Sequence, residues 1–570
     1  MSDQPEVLIV GAGPVGLSGA LALGRAGIRC LVLERRGGFS RYPKANGVHA
    51  RTMEIFREWG MAEPIRALTA GAPEGVTIAW RTRLNGIEFG KISTDETDEA
   101  RRQFETFSPE RLTTAGQHMF EPLLAKATQE FDNVAIRLDS EVVGIAVSDE
   151  LVTAEYVDPA GDRHTVAAKY LIGTDGVRSI VRRTLGVDEH SQESLGTAVN
   201  VQFDADLERY LGGRFIPLIW VVNKDTQGAF RRLGSTRWRY NFEIPPGVDA
   251  DTVTLERCEQ EIVHGVGEEV PVKIDHMWTW THDLAVADTW RQGRVFLAGD
   301  AAHHFPPHGG FGLNSGVQDV QNLAWKLVAM LRWNAGDQLL DSYQAERLPV
   351  ADYNGKQMMR NTREMEKMGF LTRDENFLAA IEADTDEGAR ARATIAEGVN
   401  TQHAQLASHG QQFGFQYTSS AVMPDGTEII ESSVTEYQPT ARPGARAPHA
   451  WVRLGGSVIS TIDVYDGSFI LFAGPRNPSW ASAARRIQAD LEIPIKSFAL
   501  GSDLRPVDET LPDLLGRYGI ESTGAVLIRP DGFVGLRSAA QPDDEYLTVL
   551  NAFSEILDLR LRELACQIIY

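Results

Sequence analysis

One short stretch near the start of the chain narrows the possible folds more than any other. Val7-Leu8-Ile9-Val10 is a run of apolar, mostly β-branched residues, as a strand buried on both faces requires. Gly11-Ala12-Gly13-Pro14-Val15-Gly16 follows, then a helical stretch to Gly27 and a second strand, Cys30-Leu31-Val32-Leu33-Glu34. A βαβ unit with glycines at its first turn is the setting in which G-x-G-x-x-G binds a dinucleotide. Gly11 permits the tight turn, Gly13 lets backbone approach a pyrophosphate, and Gly16 lets helix and strand pack closely. Gly11, Gly13, Pro14 and Gly16 are therefore cofactor-binding candidates. Glu34, at the end of the second strand, is placed to accept bonds from ribose hydroxyls. This pattern alone does not separate NAD from FAD.

A second constellation lies far downstream. Val295-Phe-Leu-Ala-Gly299-Asp300 reads as a buried strand carrying one carboxylate to its end, where Asp300 can bond a ribityl hydroxyl. The turn that follows, through His303, His304, Pro307, His308, Gly309, Gly310 and Gly312, exposes amides ahead of a helix expected to start near Ser315. Those amides and the helix dipole can stabilise negative charge, such as that of a reduced flavin ring.

With these two motifs in order, the sequence resembles the class A flavoprotein monooxygenases, the family of p-hydroxybenzoate hydroxylase and phenol hydroxylase. A third match is the "DG" segment Gly173-Thr-Asp175-Gly176-Val-Arg-Ser179-Ile-Val-Arg182; further matches are Gln318-Asp319-Val-Gln-Asn322-Leu-Ala-Trp325-Lys-Leu and Ser342-Tyr-Gln-Ala-Glu346-Arg347. The resemblance spans roughly residues 5–350. It implies an α/β chain: a Rossmann-like FAD-binding domain, an inserted substrate-binding β-sheet and a C-terminal thioredoxin-like domain. By position, Glu34 and Arg35 match the pair around the adenosine ribose. Lys44 stands where the family has an Arg against the pyrophosphate, a role Arg41 would share. Gln117 matches a flavin-contacting Gln, and Val142 a strand position whose backbone meets the adenine. Leu313 and Asn314, with Gly312 beside them, match backbone contacts to the flavin ring. Pro307 matches a proline beside the substrate hydroxyl, and Asp175 a segment linked to FAD and to transient NAD(P)H contact.

The implied reaction uses bound FAD, NADH or NADPH as a visiting co-substrate, and O2. It hydroxylates a phenolic or other small aromatic compound through a C4a-hydroperoxyflavin. His308 is the candidate base for the phenol, while His303 belongs to the family pattern and reads as structural. His49, Arg239 and Tyr240 are candidate pocket residues. Two other readings remain: Baeyer–Villiger or polyketide quinone oxygenation by the same flavin chemistry, and a non-catalytic flavin-fold binding module.

The rest of the chain limits function by exclusion. At 570 residues it predicts about three or four structural units. These read as 1–190 (first part of the FAD-binding domain), 191–290 (substrate sheet), 291–371 (GD motif and long helices), 372–440 (polar connection) and 441–570 (thioredoxin-like, without a dithiol). A formal charge of −22 and the lack of a basic run argue against nucleic acid. Cys30, Cys258 and Cys566 are far apart, so neither a redox dithiol nor a metal cluster is expected. No signal peptide or membrane span is evident, which points to a cytoplasmic enzyme. The C-terminal unit is expected to serve packing or a homodimer.

Overall fold

The computed structural model describes residues 4–42, 44–69, 76–94, 97–244, 248–370, 372 and 374–559. Cys566 and the rest of 560–570 lie outside them. Val7–Val10 is buried along its whole length in the middle of a six-stranded sheet. The order is Arg291–Gln292, Val295–Leu297, Tyr170–Gly173, Val7–Val10, Cys30–Leu33, Val134–Arg137, all parallel except the first. A sheet covered on both sides requires the continuous apolar runs seen in the sequence. Its neighbours in space come from distant parts of the chain, so the motifs near residues 11, 175 and 300 meet at one sheet edge. A three-stranded meander, Glu141–Val147, Val152–Val157 and Arg163–Ala168, packs beside it.

The inserted sheet has eight strands and is larger than the 191–290 segment. Its order is His303–His304, Lys273–Ala287, Glu189–Asp204, Arg237–Ile244, Gln227–Arg232, Leu218–Val222, Thr77–Arg81 and Glu88–Ser93. Two strands are thus contributed by the first 100 residues. One face is apolar: Val199, Val201, Phe203, Phe230, Trp238, Tyr240 and Phe242 pack with Cys258, Ile262 and Val266 of the Leu255–Val266 helix. The opposite face carries polar and aromatic side chains.

Segment 372–440 is more than a polar connection. Glu375–Ile381 and Asp386–Thr401 are helices, and Leu378, Ile381, Ile395 and Val399 pack with Trp80, Ala229 and Phe370. Their apolar residues are few but spaced on one helical side, which a reading by composition overlooks. Beyond residue 440, Ile495–Ala499, Phe469–Ala473, Ala525–Ile528 and Val534–Ser538 form a mixed four-stranded sheet. The helices Ser479–Leu491 and Glu545–Ile556 cover it, a thioredoxin-like arrangement.

The C-terminal unit is joined to the first one by buried charge. Arg529 and Asp531, at the turn after Ala525–Ile528, reach the helices Phe311–Arg332 and Gln338–Lys367. Arg529 donates to both oxygens of Glu346 at 2.6 and 2.9 Å, Lys326 Nζ donates to Glu346 at 2.8 Å, and Asn322 bridges Glu346 and Asp531. All five side chains are buried. Arg446 likewise forks onto Glu54, which also pairs with Arg51 at 3.1 Å. The motif residues Asn322 and Glu346 therefore hold the units together.

Candidate active site

Two helix N-termini converge beside the edge of the first sheet. The Pro14–Arg25 helix starts from Gly13 and the Phe311–Arg332 helix from Gly310, and neither has a side-chain cap. The amides of Val15 and Gly16, and of Gly312 and Leu313, consequently have no partner within their helices. A Cβ on Gly16 would lie 2.0 Å from Gly11 O, and one on Gly316 would lie 2.5 Å from Val15. The close packing of turn, strand and second helix thus depends on hydrogen in place of a side chain. A Cβ on Gly13 would meet nothing within 4 Å, so open space lies in front of the loop. Unpaired amides, an open cradle and carboxylates at the strand ends fit an FAD. The second helix starts at Phe311, four residues before the expected Ser315, because Gly310 takes a left-handed conformation (φ 74°) that sets its first turn.

Glu34 is buried, and its Oε2 accepts from Ala12 N at 2.8 Å. Burial pushes its carboxyl up, but Arg36 and Ala12 outweigh that and hold it below its ordinary value. Arg36 makes this pair, at 2.7 Å, whereas Arg35 is exposed. Arg41 and Lys44 are exposed as well. Gln117 begins the Gln117–Gln129 helix and donates to Glu121, which also accepts from Ser40 N at 2.7 Å. Burial raises the Glu121 carboxyl. Val142 lies on the meander strand beside Ser140, whose N–H donates to Glu34 O at 2.8 Å. Asp300 is exposed at the strand end, with Gly312 facing it: a Cβ there would be 4.0 Å from Asp300 Oδ1.

Other motif residues have structural contacts. Asp175 accepts from Ser179 Oγ, Ile180 N and Val181 N, capping the Ile180–Leu185 helix, and burial raises its carboxyl. Thr174 Oγ1 donates to Val10 O and Gly11 O, clamping the glycine turn. Asn314 works through its side chain: Oδ1 accepts from His49 N at 2.8 Å, and Nδ2 donates to Gly47 O and Gly310 O. His303 is buried and bonds Asp319 at 2.7 Å, which in turn pairs with Arg347 at 2.9 Å.

The polar face of the eight-stranded sheet lies across from the histidine turn. Strand period two and the pairing register set out its rows. One row runs Trp278, Asn200, Asn241, Ala229, Trp220; the next runs His276, Gln202, Arg239, Arg231. His308 stacks on Trp220, ring centres 5.7 Å apart, and lies 6.5 Å from His282, itself stacked on Trp280 at 3.9 Å. Tyr42 stacks on His276 at 4.2 Å. Among the described residues, Trp220 Nε1 and Trp280 Nε1 have no hydrogen-bond partner. His49 Nε2 is 3.0 Å from Gly309 O, and Pro307 is exposed beside it in the turn.

Thr362 Oγ1 donates to Met358 O at 3.0 Å and stands 2.8 Å from His308 Nδ1. Its hydrogen being committed, it accepts from Nδ1–H, which leaves the lone pair of His308 on Nε2. Burial lowers His308 and His49 to about 4, so both rings are neutral near pH 7. Such a ring is a hydrogen-bond acceptor for a phenol more than a strong base.

Arg239 lies on this face, but Tyr240 does not. Adjacent strand residues point to opposite faces, and Tyr240 is fully buried on the apolar side, 2.7 Å from Thr226 Oγ1 and packed on Phe230. The sequence reading overlooked Arg231, His282, Trp220 and Trp280. The polar positions alternating with Phe230 and Trp238 were the signal available for them. Among the described residues no group of His, Cys, Asp or Glu could hold a metal. No described helix is long and apolar enough to cross a membrane.

Comparison with known proteins gives the same architecture. Residues 4–361 match an FAD binding domain family, and residues 440–557 match the aromatic-ring hydroxylase C-terminal family. The chain is 33% identical to the tetracenomycin A2 monooxygenase-dioxygenase of Streptomyces glaucescens, covering 98% of this chain and 97% of that one. It is 31% identical to the 2,4-dichlorophenol 6-monooxygenase of Cupriavidus pinatubonensis, with the same coverage. The crystal structure of the flavin-dependent monooxygenase PieE with FAD and substrate superposes with a TM-score of 0.89 at 32% identity, over 98% of this chain and all of that one.

Proposed function

The chain belongs to the family of FAD-dependent aromatic-ring monooxygenases, and from that premise we propose that it hydroxylates a phenolic ring with O2 and electrons from NADH or NADPH. The observation that carries this reading is the sheet face of Trp220, Trp278, Trp280, Asn200 and Asn241, set opposite His308 and the uncapped helix that follows it. When bound, FAD supplies the hydride acceptance and oxygen activation that no side chain provides. Glu34 and Asp300 would accept bonds from its ribose and ribityl hydroxyls, and the Val15 and Gly16 amides would face its pyrophosphate. The amides of Gly312 and Leu313 would stabilise negative charge on its ring.

The chain's own residues then act on the substrate. The tryptophans present flat apolar surface to an aromatic ring and keep water from it. His308 Nε2 accepts the phenol hydroxyl, drawing electron density into the ring and fixing its orientation. Asn200 and Asn241 are available to bond further oxygens. A polyketide quinone is equally suited to this broad face, since relatives that act on tetracenomycin and on dichlorophenol share the whole length of the chain.

FAD-loaded protein should oxidise NADH or NADPH faster in the presence of one class of a panel of simple phenols, hydroxyphenyl acids and polyketide quinones. The product should gain the mass of one oxygen atom. Flavin that accepts no electrons from either nicotinamide, with every panel member, would overturn the proposal.

A further inference from the structure

The two helices that begin at the cofactor cradle, Pro14–Arg25 and Phe311–Arg332, also share a site at their other ends. The shorter has 12 residues, so about 18 Å separates its two ends. There Arg25, Ala26, Val328 and Trp333 border a cleft of about 500 Å³. The facing wall belongs to the C-terminal unit: Asp466, Gly467, Ser468, Pro494 and Pro530, the last set between the docking residues Arg529 and Asp531. Clefts of about 300–1,000 Å³ hold small molecules.

The lining is aromatic, and most of its charges are already matched. Trp59, Phe131, Trp325 and Trp333 supply flat apolar surface, of which Phe131 and Trp333 are only half-buried. Arg332 pairs with Glu6 at 2.8 Å and Asp466 pairs with Lys496. Arg25 donates to the carbonyls of Glu58 and Trp59, at the end of the Ala50–Glu58 helix. The Glu58 carboxylate, which also lines the cleft, is the exception. Among the described residues no cation stands within ion-pair distance of it, and its one hydrogen bond, from Gln321 Nε2, is long at 3.4 Å. Burial pushes this carboxyl up to about 7, opposed by Arg51, Arg25 and Gln321, while Asp531 adds to the rise. A cationic ligand would meet Arg25 and Arg51 here, and an anionic one Glu58 and Asp531. A neutral hydroxyl on an aromatic ring suits both the acceptor and the indoles.

We propose that this cleft is a second binding site, separate from the candidate active site, for a neutral phenolic aromatic whose hydroxyl donates to Glu58 while its ring lies among Trp59, Phe131 and Trp333. The occupant touches both units at once and so strengthens their docking. The site stands independently of the chemistry at the flavin.

The test titrates FAD-loaded protein with 2-naphthol, following heat and flavin absorption together. Two sites should appear, one that changes flavin absorption and one that gives heat without doing so. Glu58→Leu should weaken the flavin-silent site at least about tenfold, as expected for one hydrogen bond to a charged acceptor, and leave the other within about twofold. Ala26→Trp sets an indole on an exposed residue at the edge of the cleft. It should abolish the silent site, and it decides the matter if the Leu variant does not fold. Lowering the pH from 8 to 6 protonates Glu58 and should weaken the silent site about tenfold in the parent but not in Glu58→Leu; a site held by apolar contact alone would not respond. 2-Naphthoate and 2-naphthylmethylammonium should bind there at least about tenfold more weakly than 2-naphthol. A flavin-silent site with these properties upholds the inference even where 2-naphthol leaves the flavin unperturbed. Heat from a flavin-perturbing site alone, a silent site unmoved by both variants, or tighter silent binding of either charged probe would each overturn it.

Discussion

Two regions of this molecule bury charge in opposite ways. Where the C-terminal unit docks, Glu346 and Asp531 face Lys326 and Arg529, so two negative charges meet two positive ones and Asn322 fills the gap. On the polar face of the eight-stranded sheet, Arg231 stands opposite Arg239, and the indole N–H groups of Trp220 and Trp280 have no acceptor among the described residues. In the first region every one of these charges has an opposite charge beside it; in the second, Arg231 Nε is buried without a hydrogen-bond partner among the described residues.

That contrast can be broken by experiment, beginning where the effect is largest. Arg529→Leu would leave Glu346 and Asp531 short of a counter-charge and should cost about 3–5 kcal/mol, read as the urea unfolding midpoint of the FAD-loaded protein. Arg231→Met should move the melting temperature the other way. If both shift in one direction, the two regions do not differ as described. Next, Gly16→Val places atoms where a Cβ alone would lie 2.0 Å from Gly11 O. FAD affinity should drop at least 100-fold, about 2.7 kcal/mol, in a flavin fluorescence titration; near-parental binding would show that the turn can relax.

The contrast also has a pH signature. His49 and His308 are held at about 4, below the ordinary 6.5. A group whose folded value is depressed contributes stability above its unfolded value and loses it as pH falls toward the folded one. Each should therefore cost on the order of 1–2 kcal/mol by pH 5. His308→Gln should flatten the decline in unfolding free energy between pH 6.5 and 4, and an unaltered slope would show that His308 is not the group titrating. The smallest effect belongs to Thr362→Val, which removes the acceptor for His308 Nδ1–H. Loss of one such bond, about 1 kcal/mol, should weaken phenol binding severalfold with FAD affinity unchanged.

The sequence foretold the first unit well, because its strands are continuous apolar runs and its glycines sit at fixed offsets between them. Gly11, Gly13, Gly16, Glu34 and Asp300 are positions where one atom too many, or one carboxylate too few, changes the chemistry. Arg35 against Arg36 shows the limit: adjacent residues of the same type are separated only by the direction the chain takes after its strand. Tyr240 fails for a related reason, since period two separates Arg239 from Tyr240 once the apolar face is known. The 372–440 helices were hidden because their burial depends on Trp80 and Phe370, supplied from elsewhere. Asn322 and Glu346 carried a family pattern in sequence, yet their partners Arg529 and Asp531 lie about two hundred residues away, so their contacts could not be read locally.

The docking contact also has a consequence in time. Glu346 is separated by 183 residues from Arg529, its bidentate partner. At the usual pace of synthesis, about 5–20 residues per second, the ribosome needs roughly 10–40 s to cover that distance. Throughout that interval Lys326 is already made and can face Glu346, but Arg529, the cation that engages both of its oxygens, has yet to be synthesised. The cofactor-binding half of this protein is thus finished by its own C-terminal portion, and the order of translation makes assembly of the two units a late step.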